Sequence, residues 1–490
     1  MSWTAMITAV LLATEYVLKL AAVGTVPEGR RPASSSAWLL LILFVPVVGF
    51  PLYWLIGSPW VRGRRIEVQR QATGFIGEQT RMLPTVPWGA EPSPGLASIL
   101  RMNRHLTGIP CVTGADEGLF GDTAEAFAAM TDAVAGARHY VQVEFYIASW
   151  DEATDAFFTT LCAAAGRGVE VRMLMDHLGS RSYPGWKDLQ RRLTAAGVAW
   201  ELMMPIRPLR RQWRRPDLRN HRKLLVVDGQ TAFVGSHNLI GPAYGSARNA
   251  REGRRWKDLT LQVSGDVVLS VEAVFATDWY TETGQVLDFE THFVDKPDLL
   301  PGGLDGRANA MQVVASGPGF PSEPNLRLFT SLVHLATERV SITSPYFVPD
   351  EALMSAITTA AHRGVRVELF VGEEADQFLV GHAQRSYYSG LLEAGVVIHL
   401  YPAPAVLHAK YLTVDDTVGV IGSSNMDFRS FALTYEVMLL GFGGDLVRRL
   451  QEHDDEQRAA SRVLTVTEWQ QRPWHRRYVD NVCRLTAALM

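Results

Sequence analysis

The sequence predicts an α/β protein of two tandem α/β sandwich domains related by pseudo-twofold symmetry, preceded by an N-terminal apolar helical hairpin. Three observations carry that expectation. The stretch NHRKLLVVDGQTAFVGSHN, Asn220 to Asn238, returns as LHAKYLTVDDTVGVIGSSN, Leu407 to Asn425, with His-x-Lys, Asp and Gly-Ser-x-Asn at the same spacing in each. A strand-like run, a helix-like run and a second strand-like run precede both copies. Two long apolar runs open the chain.

The first apolar run, Trp3 to Val26, is interrupted by Glu15 and Lys19, four apart with the acid first, the spacing at which they pair on one helical face. The second is cleaner: no charged residue lies between Pro32 and Val61, and Ala37 to Gly57 is long enough to cross a ~30 Å hydrocarbon layer as one helix. Trp38 stands at one end, with Tyr53, Trp54 and Trp60 at the other, where amphipathic rings favour the interface. Glu28, Arg30 and Arg31 lie between the runs, and Arg62, Arg64, Arg65 and Arg70 follow the second. This basic bias predicts a multi-pass protein of the cell membrane with the long C-terminal part in the cytoplasm. A cleaved signal peptide does not fit, because a basic n-region is lacking.

The expected organisation is a membrane hairpin over 1–60, a linker over 61–105, and two catalytic domains over 106–300 and 301–490. The Pro, Gly and Thr content of 61–105 and its lack of a sustained period suit a linker or an arm packed on the catalytic body. A net charge of −4 argues against a nucleic-acid protein that binds by neutralising phosphates. Cys111, Cys162 and Cys483 are too few and scattered for a disulfide framework or a zinc knuckle.

Within the repeat, Tyr140–Ile147 and Gly168–Asp176 read as strands flanking a helix-like run, and Val340–Val348 and Gly364–Gly372 do the same in the second half. AAGVAWEL from Ala195 matches EAGVVIHL from Glu393. A period of ~190 residues marks a duplicated domain and not a solenoid. Between its AGV strand and its histidine the first half carries an insertion holding Arg207, Arg210, Arg211, Arg214, Arg215 and Arg219. That loop is a candidate contact for anionic headgroups, with a solvated surface loop as the plainer reading.

The paired spacing resembles a signature of phosphodiester-cleaving and phosphodiester-transferring enzymes, and the chemistry is what that resemblance implies. Phosphodiester exchange needs a nucleophile, a proton donor for the leaving alkoxide and donors for the phosphoryl oxygens, and imidazole serves as nucleophile or acid near neutral pH. Each half supplies one, His221 or His408, so the two halves must share a site. Lys223 and Lys410 fall on the same strand side as their histidines; with Asn238 and Asn425 they are candidates to hold the non-bridging oxygens. No His, Cys and Asp cluster has metal-ligand spacing, so neither metal nor cofactor is expected.

The paired motif resembles the HKD signature of the phospholipase D superfamily. RRPASSSAWLLLILFVPVVGFPLYWLIG, VEFYI, SPYFVPDE, GSSNMDFRSF and EWQQRP narrow the resemblance to bacterial cardiolipin synthases. It implies a covalent phosphohistidine on one imidazole and general acid–base work by the other; symmetry leaves the order open, while superfamily habit points to His221 as nucleophile. It also implies an acid orienting each imidazole, matched here by Asp258 and Glu436. Asp228 and Asp415 complete the HKD set and are expected chiefly to hold the backbone of the motif. Ser236 and Ser423 are expected to support the phosphate pocket, with Glu144, Tyr146 and Tyr346 nearby.

The implied function is condensation of two phosphatidylglycerol molecules to cardiolipin and glycerol, with phosphatidylglycerol and anionic membrane lipids as partners and no nucleic acid. The alternatives are a phospholipase D-type hydrolase, a transphosphatidylase with another donor or acceptor, and a non-catalytic membrane scaffold with a phosphate-binding cleft. Oligomeric state is not legible in the sequence.

Overall fold

The computed structural model describes residues 2–28, 32–57, 64–207, 214–287 and 309–486. Arg30, Arg31, Trp60, Arg62, Arg210, Arg211 and the expected boundary at 300/301 lie outside them.

Helix α1 (Trp3–Thr25) is capped by the Ser2 hydroxyl, and Glu15 and Lys19 pair along it at 2.5 Å. Among the described residues it is the one helix long and apolar enough to cross a membrane. The second apolar run corrects the single span expected over Ala37 to Gly57. It breaks into α2 (Pro32–Phe44), α3 (Pro46–Leu52) and a π-turn at Tyr53–Gly57. Pro46 supplies no N–H to the preceding turn, and Val45 before it leaves the helical region at φ −133°, ψ 64°. Gly49 then approaches Ile42 so closely that an added Cβ would lie 2.7 Å from its Cα.

The stretch expected as a linker or packed arm, 61–105, holds two helices. Helix α4 (Arg64–Gln79) has few apolar residues to reveal it. It is fixed by Arg65, which ion-pairs Asp278 and Glu282 at 2.6 Å each and lies 4.2 Å over the Tyr435 ring. Helix α5 (Pro94–Thr107) starts at a Ser93 cap with Pro94 in its first turn, ends at left-handed Gly108, and buries Leu96, Ile99, Leu100 and Leu106. The Pro-rich stretch between them hides both periods from a sequence window.

The catalytic body is a sheet in which each half contributes seven main strands. The first half has β1 (Cys111–Phe120), β2 (Tyr140–Phe145), β3 (Glu170–Asp176), β4 (Ala199–Met203), β5 (Lys223–Val227), β6 (Thr231–Gly235) and β7 (Thr260–Ser264). The second has β8 (Asn309–Ser316), β9 (Arg339–Thr343), β10 (Arg366–Gly372), β11 (Val397–Tyr401), β12 (Tyr411–Val414), β13 (Val418–Gly422) and β14 (Thr434–Phe442). Their order is β11-β10-β9-β12-β13-β14-β8-β1-β7-β6-β5-β2-β3-β4. The halves therefore join edge to edge through antiparallel β8 and β1, with Cys111 opposite Gln312 and Gly114 opposite Asn309. Strands β2, β3 and β4 are parallel to one another, as are β9, β10 and β11, so helical crossovers cover the outer face.

Capped crossovers make that cover. Asp122 caps the helix Thr123–Ala135 and Asp350 the helix Glu351–His362, each through two backbone N–H groups. Strand β2, YVQVEF, is buried throughout, its polar Gln142 and Glu144 included. Helix α6 (Val267–Thr283) packs Val267, Val271, Val274, Phe275 and Trp279 into a central core shared with Met311, Val313, Val437 and Leu439 of the second half. The halves thus share a core beneath their shared site.

Arg65→Met should be costly, because it leaves Asp278 and Glu282 buried with one cation fewer. About 3 kcal/mol of destabilisation is expected, read as a lowered unfolding midpoint of the full chain in detergent; an unchanged midpoint would show that α4 is not part of the folded body.

Candidate active site

Two short parallel ladders build the site, and each crosses between halves. Arg219–Asn220 pairs with Thr434–Tyr435, and Val406–Leu407 pairs with Trp256–Lys257. The next residues in register are His221 beside Glu436 and His408 beside Asp258. His221 N–H donates to Tyr435 O at 2.9 Å, and His408 N–H to Lys257 O at 2.7 Å, fixing both backbones.

Each imidazole consequently meets the acid of the other half. His221 Nδ1 lies 3.0 and 3.1 Å from the Glu436 carboxylate oxygens and 3.1 Å from Ser423 O, and His408 Nδ1 lies 2.6 Å from Asp258 Oδ1. Ser423 donates to Glu436 and Ser236 to Asp258 (2.7 Å), while Thr434 Oγ1 donates to Glu436 Oε1 at 2.9 Å. The motif serine of one half therefore holds the acid that orients the histidine of the other. The motif glycine makes room for the acid-bearing strand. A Cβ on Gly235 would lie 2.4 Å from Leu259 O, and one on Gly422 would lie 2.2 Å from Val437 O.

Electrostatics set the resting protonation. Burial pushes both imidazoles down to about 4, aided at His408 by Lys410 and opposed by Glu436 at His221 and by Asp258 at His408. Burial raises the two carboxyls, but His221 with Lys223 and Ser423 at Glu436, and His408 with His237 and Lys410 at Asp258, together hold both below the usual range. Neutral imidazoles beside ionised acids place the proton on Nδ1 and leave Nε2 with its lone pair.

Both histidines line a cavity of about 590 Å³ that also takes in Asn238, Asn425, Tyr146, Tyr346 and Arg429. Asn238 spends its side chain on Tyr244 (2.9 Å) and on the Ile147 N–H (3.2 Å). Asn425 donates to Ser430 at 3.3 Å, and its carbonyl oxygen is buried without a partner. Another cavity, of about 650 Å³, lies behind Asp258 among Lys257, Arg448 and Glu452, but neither imidazole lines it.

Several expected roles change with this geometry. Lys223 and Lys410 do not line the cavity; each ammonium donates to the carbonyl oxygen of its own motif histidine. Burial lowers both, Lys410 to about 8. Asp228 and Asp415, grouped with the catalytic set, are not beside the imidazoles. Six residues of mostly extended chain lie between each and its histidine, ~20 Å at full extension. Asp228 accepts from the N–H groups of Arg138, His139 and Tyr140, and Asp415 from those of Thr337, Glu338 and Arg339. Both stand at positive φ, 51° and 49°, where Asp is tolerated. Glu144 is buried off the cavity and accepts from Asn220 at 2.6 Å. Within the insertion, Arg215 pairs with Asp217, and Arg219 is buried against Met204 O at 3.1 Å. They are folded into the body.

Tyr244 and Asp376, which also line the cavity, carried no signal in the motifs. Tyr244 stacks on Trp256 at 4.5 Å, and Tyr346 donates to Asp376 at 2.8 Å. Burial raises Asp427 to about 6. Arg222, the middle residue of the first His-x-Lys, pairs with Asp278 and donates to Glu436 O at 3.2 Å. The x in that motif was the missed clue.

Comparison with known proteins agrees with this geometry. The family described as "Cardiolipin synthase, PLD-like domain" matches residues 130–279 and 329–456, and "Phospholipase_D-nuclease N-terminal" matches 17–58. The chain is 32% identical over 470 residues to cardiolipin synthase A of Proteus mirabilis, covering 94% of each. It is 34% identical over 464 residues to that of Serratia proteamaculans, covering 91% of each. It is also 32% identical over 473 residues to cardiolipin synthase of Geobacillus thermodenitrificans, covering 94% of this chain and 90% of that one. In fold it is similar to phosphatidylserine synthase of Haemophilus influenzae, with a TM-score of 0.57 at 18% identity over 79% of this chain and 98% of that chain.

Glu436→Gln and Asp258→Asn should each lower kcat by roughly 10²–10⁴-fold while leaving the fold intact, because an amide can favour the wrong imidazole tautomer. Normal steady-state rates in either variant would exclude the orienting role. Acid should also destabilise the protein. The folded imidazoles protonate near 4 and the unfolded ones near ~6.5, so the unfolded chain binds more protons in that window and stability falls as pH drops through it. The melting temperature should show this slope, and the double variant His221→Asn/His408→Asn should flatten it.

Proposed function

The chain belongs to the cardiolipin synthase family of phospholipase D-like proteins, and from that premise we propose that it condenses two phosphatidylglycerol molecules into cardiolipin and glycerol through a phosphohistidine. The observation that carries this is the pair of imidazoles on one cavity, each held at Nδ1 by a carboxylate of the opposite half.

In the first step His221 Nε2 attacks the phosphorus of one phosphatidylglycerol, and the bond to the headgroup glycerol oxygen breaks. The entering phosphodiester anion raises the proton affinity of His408, whose Nε2–H then passes its proton to the leaving alkoxide. Glu436 stabilises the positive charge that develops on His221. In the second step neutral His408 takes the proton from the headgroup hydroxyl of another phosphatidylglycerol. That oxygen displaces His221 from phosphorus, giving cardiolipin and restoring the imidazole. Lys223 and Lys410 supply positive potential from beneath the histidines, while Asn238, Asn425 and Arg429 border the phosphoryl oxygens. Ser236 and Ser423 act through the acids they hold, and Asp228 and Asp415 through the backbone.

Localisation follows the same reading. Family membership and α1 associate the chain with a membrane. We propose that α1 and the bent α2–α3 segment form a hairpin that leaves both catalytic halves, 106–300 and 301–490, in the cytoplasm. The arginines after the second run support that orientation.

Purified full chain given phosphatidylglycerol in detergent should yield cardiolipin and free glycerol by mass spectrometry. Phosphatidic acid as the sole lipid product would replace the reading with hydrolysis. His221→Ala and His408→Ala should each abolish turnover, and only the His408 variant should retain a phosphatidyl adduct, on His221. An adduct on His408 in the reciprocal variant would invert the roles.

A further inference from the structure

The last described helix carries a second apolar face that nothing among the described residues covers. Helices α7 (Phe378–Arg385) and α8 (Trp474–Thr486) pack together through Val380, Ala383, Val479 and Cys483, with Asp480 bonded to His382 Nδ1 at 2.7 Å and paired with Arg472 at 2.7 Å. The opposite face of α8 presents Trp474, Tyr478, Val482 and Leu485, which are 71, 63, 44 and 75% exposed. At 3.6 residues per turn these four lie within roughly 80° of one another, and Asp480 and Cys483 point away from them. A soluble surface seldom keeps so continuous a stripe bare.

Charge selects the occupant. His475, Arg477 and Arg484 are exposed beside the stripe, and the one acid of the helix, Asp480, is buried in its pairings. An apolar stripe with two aromatic rings and a cationic border fits the headgroup layer of an anionic bilayer. Position adds function to this fit. On α7, Phe378 and Leu379 are 68 and 51% exposed, while neighbouring Gln377 and Val380 line the catalytic cavity. The apolar surface therefore begins at the rim of the site.

We propose that α8 lies in the interfacial layer of the bilayer that holds α1, with anionic headgroups against its arginines, and that α7 thereby sets the cavity mouth at headgroup depth. This rests on the reading that the substrate is a bilayer phospholipid.

The test uses the full chain in phosphatidylcholine vesicles with and without phosphatidylglycerol. An environment-sensitive fluorophore at Tyr478→Cys, in a Cys162→Ser background, should shift to the blue and be quenched by headgroup-proximal spin-labelled lipid, more so with phosphatidylglycerol. The same probe at Arg191→Cys should stay unquenched. Equal behaviour at the two positions overturns the proposal, as does quenching by a second labelled copy and not by lipid. In a second arm, Trp474→Gln/Tyr478→Gln/Val482→Gln/Leu485→Gln should slow turnover of vesicle phosphatidylglycerol by ~10-fold or more, the loss expected when substrate and site are no longer held at one surface. Turnover of monomeric dihexanoyl-phosphatidylglycerol should stay within about twofold; parallel losses on both substrates overturn the docking role. Wild-type protein that makes no cardiolipin from either substrate sinks the functional reading, while the quenching arm judges the docking by itself.

Discussion

The structure depends on the register of two short parallel ladders that cross between its halves. Arg219–Asn220 lies on Thr434–Tyr435 and Val406–Leu407 on Trp256–Lys257, so each histidine emerges beside an acid of the other half. Extended chain has a period of two, and a slip of one residue would turn His221 away from Glu436. The surroundings fix that register. The motif glycines let the acid-bearing strands approach, and the motif serines hold the carboxylates once they arrive.

Buried charge beneath the first ladder ties this arrangement to the N-terminal region. Arg65 from α4 and Arg222 from the first motif share the two oxygens of Asp278, and both guanidinium groups lie over Tyr435, at 4.2 and 5.4 Å. Ions this deep are tolerated because each has a partner. The second ladder runs instead to the cavity behind Asp258. Two halves of similar topology therefore rest on different supports, while α4 touches both, pairing Arg65 with Asp278 of the first and laying it over Tyr435 of the second.

Much of this was legible in the sequence, because a repeated spacing of His, Lys, Asp, Ser and Asn reports a repeated backbone shape. The strands were legible because buried parallel strands read as mostly apolar runs. Partner identity was not. Asp258 and Glu436 could be found from their place after each Gly-Ser-x-Asn, but the exchange between halves is set by long-range pairing that leaves no local pattern. Composition misled twice: Ala37–Gly57 is apolar enough for one span yet breaks at Pro46, and α4 is helical with little apolar periodicity because ion pairs hold it. Residue type misled at the lysines, whose ammonium groups bond to histidine carbonyls off the cavity.

The exchanged acids impose an order on biogenesis. Asp258 is synthesised well before His408, and His221 well before Glu436, so a growing chain carries both partners of the first half with neither of their counterparts. The ribosome must reach His408 before the first imidazole–acid pair can form, and β14 before the second can. The two-histidine centre is therefore complete only once β14, which carries Glu436, has been made, and neither half can assemble it alone.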